Sequence, residues 1–183
     1  HTTFSFSPYT PAQAAERACV AGLLAVGVMA HDSVGGAAEM RAAGKSLAVA
    51  TTCGVEMRVS AAGTALEGRR INNPDSLGIL YVMLHGIPPR GLPAVTRFLV
   101  PIQASRERRN RRMVERLNAL LPPLGIAPLD FQRDVRAMSE ADRGGTITER
   151  HIMFAVSARI VEAAGRGEKL LAFLRDRLGI TPP

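Results

Sequence analysis

Cysteine and lysine occur only twice each in this 183-residue chain, and long apolar runs are missing. Cys19 and Cys53 stand far apart, in no C-x-x-C or disulfide-framework spacing. That excludes a disulfide-stapled domain and predicts free thiols in a reducing compartment. The longest apolar run, ACVAGLLAVGVMA, covers 13 residues between Arg17 and His31. A membrane-spanning helix needs about 20, and no basic-then-apolar signal pattern opens the chain. These absences predict a cytoplasmic protein without a membrane partner. Internal repeats and low-complexity tracts are absent as well. So is an initiator methionine, and the abrupt start at His1 leads to the expectation of an internal fragment of a longer protein.

What is present points to a folded chain. Apolar residues make up 46% of it, too many for disorder, and 17 Gly and 12 Pro cut it into short elements. The length suits one domain, or one domain with a small subdomain. A net charge of +7 and a pI near 10.6 raise the question of a nucleic-acid partner. The charge is uneven: residues 1–90 carry an excess of +1 and residues 91–183 an excess of +6, much of it in SRERRNRRMVER. With lysine only at Lys45 and Lys169, the basic residues are nearly all arginine. Beside abundant alanine, this fits GC-rich coding better than selection for a nucleic-acid groove. Nucleic-acid binding is therefore the less favoured reading.

The two halves differ in texture. In the first, Thr10 and Pro11 read as the N-cap and first position of a helix that closes at Gly22. LLAVGVM reads as a parallel strand buried on both faces. GGAAEMRAAGKSL follows as a helix and AVATTCGVEMRV as the next strand, the βα rhythm of a parallel sheet or barrel. SAAGTALEGRRINNPDSLG reads as a loop, and ILYVMLHGIPP as a strand stopped by prolines. From residue 91 the pattern turns helical, with helices predicted near 92–100, over 102–121, around 129–141, over 147–164 and to about 178. Thr146 and Glu149 fit a capping box for the helix that contains His151. Residues 1–90 thus read as a βα region and 91–183 as a mainly helical subdomain.

His31 and Asp32 directly follow an apolar strand. In parallel α/β architectures the carboxyl ends of the strands share one rim, and catalytic side chains gather there. His1, His31 and Glu56 take that position. Two imidazoles and a carboxylate on one rim are ligands for Zn, Mn or Fe, and the ion would acidify a water into a nucleophile. Simpler readings remain open. His31 and Asp32 could end a strand and cap a helix, and Glu56 could sit on the solvated face of a strand where Val55, Met57 and Val59 alternate with it. His85, at a strand end, is a candidate substrate or metal contact or a structural turn residue. Arg150 and His151, in the first turn of a helix, could hold an anion such as phosphate or could face solvent. In the arginine-rich stretch, Met113, Leu117, Leu120 and Leu121 form an apolar stripe, with Glu107 and Glu115 at salt-bridge spacing from the arginines.

Three stretches resemble the PHP (polymerase and histidinol phosphatase) family. HTTFS followed by Thr10-Pro11 is similar to its first motif, H-x-H-T-x-x-S, from the second histidine onward. MAHDSVGGA resembles T-D-H-D-T/S before a Gly- and Ala-rich helix, and Gly54-Val55-Glu56 resembles its G-V-E. Order and separations agree over residues 1 to about 60, and the helical half resembles, more weakly, an insertion that many members carry. The resemblance implies a distorted (β/α)7 TIM-like barrel, only part of which lies in this chain. It also implies a centre of two or three divalent ions (Mn, Zn or Fe) that hydrolyses a phosphate mono- or diester of a small phosphorylated substrate. By position, His1, His31 and Glu56 would be metal ligands, with Glu56 able to bridge two ions, and His31 and Glu56 would carry the catalysis. The sequence departs from the pattern where Phe6 replaces an acidic residue and Ala30 the first aspartate of T-D-H-D. The partner histidine of the first motif, and the later His-Pro and Asp-x-His ligands, do not occur in these residues, so the fragment alone is expected to be inactive. The alternatives are a metal-depleted binding or scaffold module of the same fold and a basic nucleic-acid-binding domain.

Overall fold

A computed structural model describes residues 1–181. After a 3-10 turn at Thr3–Ser5, the chain runs through α1 (Pro11–Val20), β1 (Ala25–His31), α2 (Ala37–Leu47), β2 (Ala50–Ser60) and β3 (Ile79–Leu84). The helices α3 (Leu92–Leu120), α4 (Glu149–Ala164) and α5 (Glu168–Leu178) follow. The chain separates into two compact units: His1–Gln103 with Glu140–Thr146, and Ala104–Ser139 with the described residues from Ile147 onward.

In the first unit, α1 starts as its sequence dictates. The Thr10 hydroxyl accepts from the Gln13 backbone N–H at 3.2 Å, and the Gln13 side chain accepts from the Thr10 N–H at 3.0 Å, with Pro11 at the first helical position. β1 and β2 are parallel, in register from Ala25 opposite Ala50 to His31 opposite Glu56, with α2 as the crossover. Val26 and Val28 turn toward α1 and α2, where they meet Ala15 and Met40. A neighbouring cluster joins Val55 to Val34, Ile87 and Leu99. Strand alternation then turns His31 and Glu56 to the opposite face of the sheet.

Two expectations change here. β1 is not buried on both faces, since only Val28 and Ala30 within it are buried, and Leu23 and Leu24 just before it are 54% and 88% exposed. Among the described residues β1 is an edge strand, and α1 and α2 cover one face of it. β3 pairs antiparallel to β2, from Val55 opposite Leu84 to Ser60 opposite Ile79. The connection between them holds no helix to carry the chain back for a parallel return. The result is a mixed three-stranded sheet, ordered β1-β2-β3, in an α/β fold. A TIM-like barrel is not shown by these residues.

α3 continues through Pro101 rather than breaking into two helices. An interior proline costs about 3 kcal/mol. Here Val95, Leu99 and Ile102 lie on both sides of it and pack into one apolar cluster, which offsets that cost.

In the second unit, Asn110 is fully buried and donates to the Ile147 carbonyl at 2.8 Å. Asn118 exchanges two hydrogen bonds of 2.8 Å with the Leu129 backbone. A π-helical turn, Phe131–Arg136, replaces the longer helix expected around 129–141. α4 is capped by Thr148 and His151, not by Thr146 and Glu149. The reason is competition for partners: the Glu149 carboxylate is held by Arg106 and Arg109. The backbone N–H of Thr148 donates instead to His151 Nδ1 at 3.0 Å.

Candidate metal centre

His31 is the last residue of β1, and parallel register sets it directly beside Glu56 on β2. The turn that follows is tightly held. Asp32 adopts the left-handed region (φ 49°), which aspartate tolerates better than most residues. Its N–H donates to the Glu56 carbonyl at 2.9 Å, and its own carbonyl accepts from the Gln103 side chain at 2.8 Å. The Asp32 side chain is buried.

His1 arrives from the opposite direction. The Thr3–Ser5 turn is pinned by hydrogen bonds of 2.9 Å from Thr3 N–H to the Tyr9 carbonyl and from Thr146 N–H to the Phe4 carbonyl. The Phe4 ring is buried against Gly35. A β-carbon on Gly35 would fall 2.7 Å from that ring and 2.8 Å from the Arg143 carbonyl, so the Gly-Gly pair after His31-Asp32 is what lets the N-terminal turn close down. Buried Ser5 then places its hydroxyl 3.1 Å from His1 Nδ1.

These elements converge on one carboxylate. Glu56 Oε2 lies 3.4 Å from His1 Nε2, and Glu56 Oε1 lies 3.6 Å from His31 Nδ1. The two imidazoles stack at 4.4 Å between ring centroids, tilted by 28°. The three ligand atoms lie within 4.8 Å of one another, and among the described residues no other group of three His, Cys, Asp or Glu side chains is so arranged. The donor set fits a divalent ion. Ligands bound to one ion at about 2.0–2.2 Å sit roughly 3–3.5 Å from each other, close to the two imidazole–carboxylate spacings here. With Ser5 engaging Nδ1 of His1, Nε2 is the nitrogen left facing Glu56. The three side chains are 34%, 26% and 18% exposed, so the site is open to solvent on one side.

The other candidate residues are not gathered with this group. His85 is exposed, just past β3, with its Cα near Gly54. Arg150 is exposed in the first turn of α4. His151 is buried in the second unit, where its ring caps α4, and burial lowers its pKa from the ordinary imidazole value. Phe6, where the family pattern has an acidic side chain, closes the first turn with φ 68°, and Ala30 is buried, so neither offers a donor. Ser5, Asp32 and Gln103 support the cluster, in roles that their places in the sequence do not state. Ser5 was detectable as the hydroxyl four residues after His1. Gln103 was not, since its role depends on α3 returning to the turn after β1.

The fold and the cluster together are those of an α/β domain with a candidate metal site. Among solved structures, the chain is similar to a protein from Bifidobacterium adolescentis assigned as a metal-dependent phosphoesterase, with 25% identity and a TM-score of 0.65. It is also similar in fold to an amidohydrolase from Chromobacterium violaceum, solved with bound sulfate and no metal, at 22% identity and a TM-score of 0.61. Each match covers 94% of this chain but 51% of the other, so the chain spans about half the length of the structures it resembles. No family model and no curated protein matches it. No described helix is long and apolar enough to cross a membrane.

Proposed function

We propose that these residues carry the N-terminal part of the metal site of a metal-dependent phosphoesterase of PHP type, acting in the cytoplasm on a small phosphorylated substrate. The observation that carries this reading is the convergence of His1, His31 and Glu56 from three separate elements onto one point. The similarity to a protein assigned to that activity supports it. A divalent ion bound there supplies Lewis acidity, which makes water a better nucleophile and draws charge from a phosphoryl oxygen. The chain's own contribution is positional. Glu56 presents two oxygens to two different imidazoles and so could serve two ions. Ser5 selects the nitrogen His1 offers, and the Asp32 turn fixes His31 against Glu56. In this reading the remaining ligands come from outside these residues, and a centre of two or three ions is completed by them. His85 and Arg150 stand as candidate substrate contacts, whereas the buried ring of His151 has its place in the α4 cap.

The experiment is metal analysis and hydrolysis of an aryl phosphate by the gene-length protein with Mn or Zn, for wild type, His31→Ala and Glu56→Gln. Each variant is expected to lose bound metal and at least about a hundredfold in turnover. Retained metal with near-normal rates in both would overturn the assignment. The absence of donors at Phe6 and Ala30 favours, as a second reading, a metal-depleted scaffold of the same fold. Gene-length wild-type protein without tightly bound ions would select that reading.

A further inference from the structure

Beyond Arg97 near its start, the arginines of α3 separate into two populations. Arg106 and Arg109 are spent on Glu149, Arg111 bonds Glu107 and lies 4.3 Å over the Phe131 ring, and Arg136 joins it on Glu107. Beyond the helix, Asp134 takes Arg133 and Arg159. Arg108, Arg112 and Arg116 have no partner among the described residues, and all three are exposed. Their spacing of four puts them on one face of the helix, at steps of about 6 Å. The second unit holds 14 Lys and Arg against 8 Asp and Glu, which accounts for +6 of the chain's +7. Internal pairing neutralises much of that charge; the exposed cations left without a bonded partner among the described residues of this unit are this ladder, whose three members share one helix, and the scattered Arg150, Arg166 and Lys169. Of the two acidic residues beside them in sequence, Glu107 is taken by Arg111 and Arg136, and exposed Glu115 bonds none of the three.

From this geometry we infer that Arg108, Arg112 and Arg116 form a docking ladder for the phosphate backbone of a single-stranded nucleic acid. The step along the ladder is comparable to that between successive phosphates of an extended strand, and each guanidinium can fork onto phosphate oxygens. The stretch from Arg108 to Arg116 holds no aromatic residue, so the ladder itself reads phosphates and not bases, and its contribution is independent of sequence. The ladder makes no use of the His1, His31 and Glu56 cluster and stands or falls separately from the metal reading.

The test is fluorescence anisotropy of a labelled oligothymidylate against the full chain, in EDTA so that no metal-dependent cleavage interferes, over a range of salt. Three phosphate contacts predict a slope of log K against log salt near −2. R108Q/R112Q/R116Q is expected to flatten that slope and weaken low-salt binding at least about tenfold. R108K/R112K/R116K, which keeps the charge, is expected to retain most of the slope. K45Q/R166Q/K169Q removes the same charge from exposed positions elsewhere and is expected to change little. Circular dichroism checks that each variant keeps its helix. Equal losses in the ladder and control triples, or no binding by wild type, would overturn the proposal. It would also be overturned if polyglutamate or phosphatidylserine vesicles bound as well as the oligonucleotide and depended equally on the ladder.

Discussion

Glu56 in the first unit and the paired carboxylates of the second meet their neighbours in different ways. In the second, carboxylates and guanidinium groups satisfy one another: Glu107 takes Arg111 and Arg136, Glu149 takes Arg106 and Arg109, and Asp134 takes Arg133 and Arg159. These contacts hold the Asp134 carboxyl well below the usual carboxylate range, led by the hydrogen bond from Arg133. In the first unit, Glu56 is faced by two imidazoles and by no guanidinium closer than they are. A divalent cation would compensate that carboxylate and accept the imidazole nitrogens as ligands as well. A cluster that balances its own charge is architecture. One whose ligand atoms converge from separate elements on a single point is a candidate site.

The sharpest way to break that comparison is at Glu56. Glu56→Gln keeps the shape and removes the charge, so added Mn or Zn should raise the melting temperature of wild type and leave the variant unmoved, because only a folded state that binds the ion gains stability from it. A variant stabilised as strongly as wild type would place the ion elsewhere. The next effect is on packing. Gly35→Ala drives a methyl group into the Phe4 ring and the Arg143 carbonyl, and overpacking of this kind costs about 1–3 kcal/mol. Because Phe4 anchors the turn that carries His1, metal affinity should fall along with stability in denaturant titration. Unchanged affinity would disconnect that turn from the site. Asn110→Ala is its counterpart in the second unit. It strands the buried Ile147 carbonyl at a cost of about 1–3 kcal/mol and should leave metal affinity as it was.

A smaller effect comes from His151. Burial lowers its pKa in the folded state, so the unfolded chain binds the extra proton first. The stability it contributes is present above about pH 6.5 and declines as the pH falls from there through the lowered folded value. Unfolding followed from pH 7.5 to 5 should show that decline, and His151→Gln should remove this part of the slope. An unaltered slope would show that His151 is not the group responsible. The smallest change is expected from Glu107→Gln. Its two ion pairs are partly exposed, and such pairs contribute about 0.2–1 kcal/mol each in double-mutant cycles with Arg111 or Arg136.

Local signals in the sequence determined a good deal. The Thr10-Pro11 start of α1, the β1-α2-β2 order and the end of α4 at residue 164 are short-range matters of capping and periodicity, and each is where the residues put it. The motif order singled out His1, His31 and Glu56, which the fold brings within reach of one another. Other features were decided by partners distant in sequence. Thr146 and Glu149 fit a capping box on paper, but Arg106 and Arg109 claim the glutamate and His151 supplies the cap. Pro101 reads as a helix breaker until Leu99 and Ile102 pack into one core across it. Equivalent-looking arginines separate into bonded and unbonded sets by the side of α3 they occupy relative to Glu107 and Glu149. A sequence states what each residue prefers within a few positions of itself. Which preference prevails, where several groups compete for the same hydrogen bond, charge or apolar surface, is set by what tertiary packing brings within a few ångströms.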